Sequence, residues 1–130
     1  MGLDQYGYFL NKEEATNLST LGDGSVGFKE PAELKKEDFY WRKHANLQNW
    51  AEKLYHSRGG TEEFNTVVIQ LYPEDIAELK RLTKEKALPT GEGFFWGEST
   101  PEDDKETLSF CELAERCHQE GGAVLYSSWW

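Results

Sequence analysis

The sequence predicts an α+β protein with α/β-type alternation: a single compact domain, residues 1–130, holding an about four-stranded mixed sheet covered by three helices. Three observations predict it. Strand-like stretches rich in aromatic and β-branched residues alternate with amphipathic stretches of helical period. Caps, prolines and glycine pairs fall between them. Both ends are apolar and strand-like, where termini are ordinarily polar and frayed.

Leu3 to Leu10 is the first predicted strand, with Tyr6 and Tyr8 on one face and Gly7 and Phe9 on the other. Asn17 to Lys29, with Gly22, Gly24 and Gly27, reads as a loop and a candidate lid. No Gly-Lys-Ser/Thr follows, so it is not a phosphate loop. A first long helix is predicted from a cap at Asp38 to Ser57, stopped by Gly59-Gly60. Leu47, Trp50, Ala51 and Leu54 form its core stripe, flanked by Tyr40, His44 and Tyr55.

Phe64 to Tyr72, with Thr66, Val67, Val68 and Ile69, predicts the second strand. Pro73-Glu74-Asp75 opens a second helix burying Ile76, Leu79 and Leu82. Gly91 to Gly97 is a short aromatic strand around Phe94-Phe95-Trp96. Thr100 and Asp103 make a capping box for a third helix, which buries Leu108, Cys111, Ala114 and His118 and stops at Gly121-Gly122. Ala123 to Trp130 is the last strand, and its closing tryptophans are expected to be buried, as in a complete protein with little tail. Sheets of this alternation are parallel or mixed; the one-sided terminal strands favour mixed.

The formal charge is −10, unevenly spread: −3 over residues 1–28, +2 over 29–58 and −9 over 59–130. Such a field opposes nucleic-acid binding; it favours solubility first and a basic partner second. No apolar run reaches the roughly 20 residues of a membrane span, and without a basic region followed by an apolar stretch at the start no secretory signal is expected. Cys111 and Cys117 match no zinc or redox motif and read as reduced thiols.

Catalytic signatures are weak. No Gly-x-Ser-x-Gly elbow is present, the acids from Glu98 to Glu106 lack calcium-loop spacing, and the histidines lack metal-ligand spacing. The residues therefore predict no cofactor, no metal and no catalytic set. The candidate ligand-binding residues are Tyr6, Trp41, Arg42, His44, Asn46 and Trp96. On a helix, Arg42 and Asn46 would share a face and grip a carboxylate or phosphate. Trp41, Trp96, Trp129 and Tyr6 offer stacking surfaces, against a default of core packing. Asp4 is the intramolecular rival for that cation: an Asp4–Arg42 or Asp4–Lys43 ion pair would tie the first strand to the first helix. His44 would need Asp4 or Glu52 to serve as a general base.

Met1-Gly2-Leu3-Asp4-x-Tyr6, Tyr40-Trp41-Arg42-Lys43, Phe64-Asn65, Gly93-Phe94-Phe95-Trp96-Gly97 and Ser128-Trp129-Trp130 together resemble a family of small uncharacterised bacteriophage proteins, with cyanophages prominent among its sources. Some relatives are labelled phosphoglycerate kinase, a far longer two-domain enzyme whose nucleotide and substrate motifs this chain lacks. The resemblance implies a viral accessory protein acting in the host cytoplasm and transfers no catalytic residue. Three functions follow in order of expectation: a non-enzymatic binder of a host protein; a small-ligand or nucleotide sponge or sensor, with a pocket of Tyr6, Trp41, Arg42 and Trp96; and a small transferase or hydrolase using His44 and Asp4.

Overall fold

A computed structural model of the chain describes residues 3–16, 18–20, 26–28, 37–89 and 100–130. In chain order they form β1 (Asp4–Leu10), α1 (Lys12–Ala15), β2 (Leu18–Thr20), β3 (Val26–Phe28), β4 (Phe39–Arg42), α2 (Ala45–Ser57), β5 (Ile69–Leu71), α3 (Pro73–Lys84), α4 (Pro101–Gln119) and β6 (Ala123–Trp129). The predicted strand at Gly91 to Gly97, and Trp96 with it, lie outside the described residues.

The first and last strands lie side by side. Leu10 pairs with Ala123, and the ladder runs on to Asp4 opposite Trp129. β4 joins the free edge of β1, and β5 the free edge of β6, so the order is β4-β1-β6-β5. The α+β class and the four-stranded sheet hold. The ladders, expected to be mixed, all run antiparallel. For β5 and β6 the reason lies in the connection: α3 and α4 pack on each other between them, and two helices return the chain to the end it left.

Strand alternation gives the sheet two unlike faces. Phe39, Trp41, Phe9, Val124, Tyr126, Ile69 and Leu71 point to the side packed by α2, α3 and α4. There Phe110 of α4 is the hub: it stacks on Phe9 and meets Phe39 and Trp41 edge-on. Gly7 makes room for it, since a Cβ at that position would sit 2.6 Å from the Phe110 ring. The opposite face holds a smaller cluster of Tyr8, Leu10, Ala123 and Leu125, bordered by Tyr6, Ala15, Leu18 and Val68.

The expected helix from Asp38 is overturned. Asp38 does not cap α2; its carboxylate accepts the Phe9 N–H at 2.8 Å. Phe39 to Arg42 is a strand, as three consecutive aromatics favour on a pleated surface. Lys43 turns the chain at φ 60°, and the helix begins at Ala45. Its start is set from afar. The buried Gln5 amide accepts the His44 N–H at 2.8 Å and donates to the His44 carbonyl at 3.0 Å. Gly59, at φ 94°, ends the helix as expected, with the Gly60 N–H returning to Tyr55.

Three further expectations change. Within Asn17–Lys29, residues 18–20 and 26–28 pair as a hairpin where a loop was expected. The strand expected from Phe64 to Tyr72 narrows to Ile69–Leu71, because Thr66 takes a φ of 64° that leaves the ladder. In α4, Phe110 and Thr107 are buried with Cys111 and Ala114, while Leu108 and His118 are only half-buried. The Thr100–Asp103 capping box forms as predicted.

Candidate functional site

Sheet register builds a cluster of exposed aromatic and charged side chains. On the face turned away from α2, α3 and α4, Arg42, Asp4 and Trp129 stand in one row across β4, β1 and β6. Tyr40, Tyr6 and Ser127 form the next row. Arg42 Nη1 reaches Asp4 Oδ1 at 2.9 Å, and the Tyr40 hydroxyl donates to the same oxygen at 2.5 Å. The hydrogen bond to Asp4 and burial hold the Tyr40 phenol above its usual range. The Tyr6 and Tyr40 rings lie 5.7 Å apart. Trp129 is 62% exposed and Tyr40 43%.

The expected Asp4–Arg42 ion pair is therefore present, but it ties strand to strand rather than strand to helix. Asp4 takes Arg42 and not Lys43 as its partner. Burial of both closing tryptophans is corrected: strand alternation turns Trp129 outward, and only Trp130 is half-buried.

The five described candidate binding residues, all but Trp96, do not assemble into one pocket. Tyr6 and Arg42 lie on the open face. Trp41 is wholly buried on the opposite face, where its Nε1 donates to Thr107 at 3.2 Å. Asn46 lines a separate crevice of about 210 Å³ with Thr83, Lys86, Leu88, Thr100, Pro101 and Asp104. Arg42 and Asn46 share no helix face, because Arg42 belongs to a strand.

His44 is fully buried. Burial lowers its pKa to about 4, against an opposing pull from Asp103. Neither expected orienting carboxylate serves it: Asp4 is engaged by Tyr40 and Arg42 on the open face, and Glu52 lies 3.8 Å from His56. The neutral imidazole is thus enclosed, away from solvent. Around it runs a buried polar chain, in which Gln5 Nε2 donates to the Tyr126 hydroxyl at 3.0 Å and that hydroxyl donates to Gln48 at 2.6 Å. Burial drives the Tyr126 phenol far above its ordinary value. These bonds lock the core and present nothing to solvent.

A second concavity, about 630 Å³, lies between α1 and the C-terminal half of α4, with Leu113, Arg116 and Cys117 on its wall. Among the described residues no cluster of three or more His, Cys, Asp or Glu is placed to hold a metal. No described helix is long and apolar enough to cross a membrane. Comparisons with protein-family models, curated proteins and solved structures yielded no match.

Sequence reasoning singled out Arg42, Tyr6 and Trp129 but set Tyr40 on a helix. Its signal was present: Tyr40 and Arg42 alternate with Phe39 and Trp41, the period of a two-faced strand.

Proposed function

We propose that this is a non-enzymatic accessory protein that binds and modulates a host protein, using the open sheet face around Tyr40 and Trp129. One observation carries the reading: a tryptophan 62% exposed stands in regular strand register beside an Asp–Arg pair. Tryptophan, tyrosine and arginine together are the residues that dominate protein–protein hot spots. The bacteriophage resemblance supplies the setting, the interior of a host cell. The reading of a small-ligand pocket is weaker, since Trp41 faces away from Tyr6 and Arg42. Catalysis by His44 with Asp4 is weaker still, since the two lie on different sides of the sheet.

Affinity capture from host lysate with the full chain and with Trp129→Ser tests it. We expect a stoichiometric host protein on the first and its loss on the second, with unchanged melting of the free variant. A partner held equally by both, or none held by either, would sink the reading.

A further inference from the structure

We propose that the surface between Trp129 and Asp4 receives the guanidinium of an arginine presented by a basic partner protein. This rests on the reading of the open face as a contact surface and names the chemistry of its occupant.

Asp4 carries the argument. Among the described residues, both side-chain hydrogen bonds it accepts, from Tyr40 and Arg42, reach Oδ1. Oδ2 is left to accept from outside, on a side chain 25% exposed. Trp129 is the register partner of Asp4 on the same face, and cross-strand partners hold their Cβ atoms about 4.5–5.5 Å apart. An exposed indole face thus adjoins an acceptor of negative charge. A guanidinium satisfies both at once: its plane stacks on indole while an N–H donates to carboxylate.

Charge selects the occupant. The chain carries −10 overall. A second copy brings −10 of its own, and a polynucleotide is also anionic, so both are repelled. A basic protein is drawn in. Close by, Glu37 adds negative potential to this face: burial raises the pKa of Tyr6 and Tyr8 most, and Glu37 adds to it, after Asp4 in the case of Tyr6. Arg42 shares the Asp4 carboxylate and opposes an incoming cation, an opposition reduced because its side chain is 54% exposed to screening solvent.

The test uses the full chain, labelled for NMR, and a capped peptide with a central arginine at low salt. Its neutral counterpart carries citrulline, which keeps the shape and removes the charge. The arginine peptide is expected to give saturable shifts at the Trp129 indole N–H and at the Asp4 and Arg42 amides, and the citrulline peptide none. Asp4→Asn, and Trp129→Leu read at the Asp4 and Arg42 amides, should each weaken binding by roughly two- to fivefold, the worth of one exposed cation–π or ionic contact. Retained dispersion of the other amides shows that each variant is folded. Equal binding of the citrulline peptide overturns the proposal, as does binding undiminished in both variants. A host protein captured through Trp129 while the arginine peptide shifts nothing overturns this inference and leaves the function standing.

Discussion

Asn65 holds the backbone of Trp130 in both directions. Its Nδ2 donates to the Trp130 carbonyl at 2.7 Å, and its Oδ1 accepts the Trp130 N–H at 3.0 Å. Extending the β5–β6 register from Ile69 opposite Tyr126 brings residue 65 opposite residue 130. The backbone there has already left the ladder, since Thr66 takes φ 64°, and the asparagine amide replaces the missing strand. The Trp130 indole adds a bond to the Phe64 carbonyl at 2.8 Å. Asn65→Ala should remove both backbone contacts at once and cost about 1–3 kcal/mol, the range for stranding hydrogen-bonding groups. Chemical denaturation of the variant measures it, and an unchanged midpoint would refute the role.

Two arginine–carboxylate pairs should differ sharply. Arg58 lies between elements: it pairs with Asp75 at the start of α3, donates to the Gln70 carbonyl of β5 at 2.8 Å, and stacks over Tyr72. Its side chain is 19% exposed and that of Asp75 10%. Removing it leaves the buried Asp75 carboxylate without its cation, with the Tyr72 N–H still donating to it, so Arg58→Ala should cost about 3–5 kcal/mol. Arg42 is mostly in solvent, so Arg42→Ala should leave the denaturation midpoint nearly unchanged. Equal losses in the two variants would contradict this assignment.

His44 makes a pH-dependent contribution with a definite sign. Its folded pKa, about 4, lies below the usual 6.5 because burial disfavours the imidazolium. Between those values the unfolded chain binds the extra proton. Stability from the neutral ring is therefore complete above about pH 6.5 and falls as pH drops towards 4, by up to about 3 kcal/mol. His44→Gln should show a shallower loss across that window than the parent protein. Parallel stability–pH curves would exclude the effect.

The two thiols should separate by reactivity. Burial, with a smaller contribution from Glu115, pushes Cys111 up to about 12. Cys117 is half-buried on the wall of the groove beside α1. Thiolate is the reacting form, so an alkylating reagent near neutral pH should label Cys117 alone in the native protein and both after unfolding. Mass mapping of the labelled peptides decides it; native labelling at Cys111 would count against the fold around Phe110.

Local chemistry was readable wherever one short stretch of chain dictates the outcome. The Thr100–Asp103 box, Pro73 at a helix start, Gly59 at a helix end and the alternation of Leu3 to Leu10 each act within a few residues, and each appears in the structure. The Asp4–Arg42 pair was also legible, because an acid in an apolar strand calls for a cation.

Tertiary structure decided the rest, through groups that compete for the same local signals. Asp38 resembles a helix cap, yet the Phe9 amide across the sheet takes its carboxylate. Helix α2 starts where the Gln5 amide grips His44, 39 positions away in sequence. Those long-range bonds turned Phe39–Arg42 into a strand. They placed Trp41 inside and Arg42 outside, and so separated residues that a helix would have kept together. The reason is the period of two in a strand: one change of element type reassigns every side chain to a new face, and only the assembled sheet fixes which face meets water.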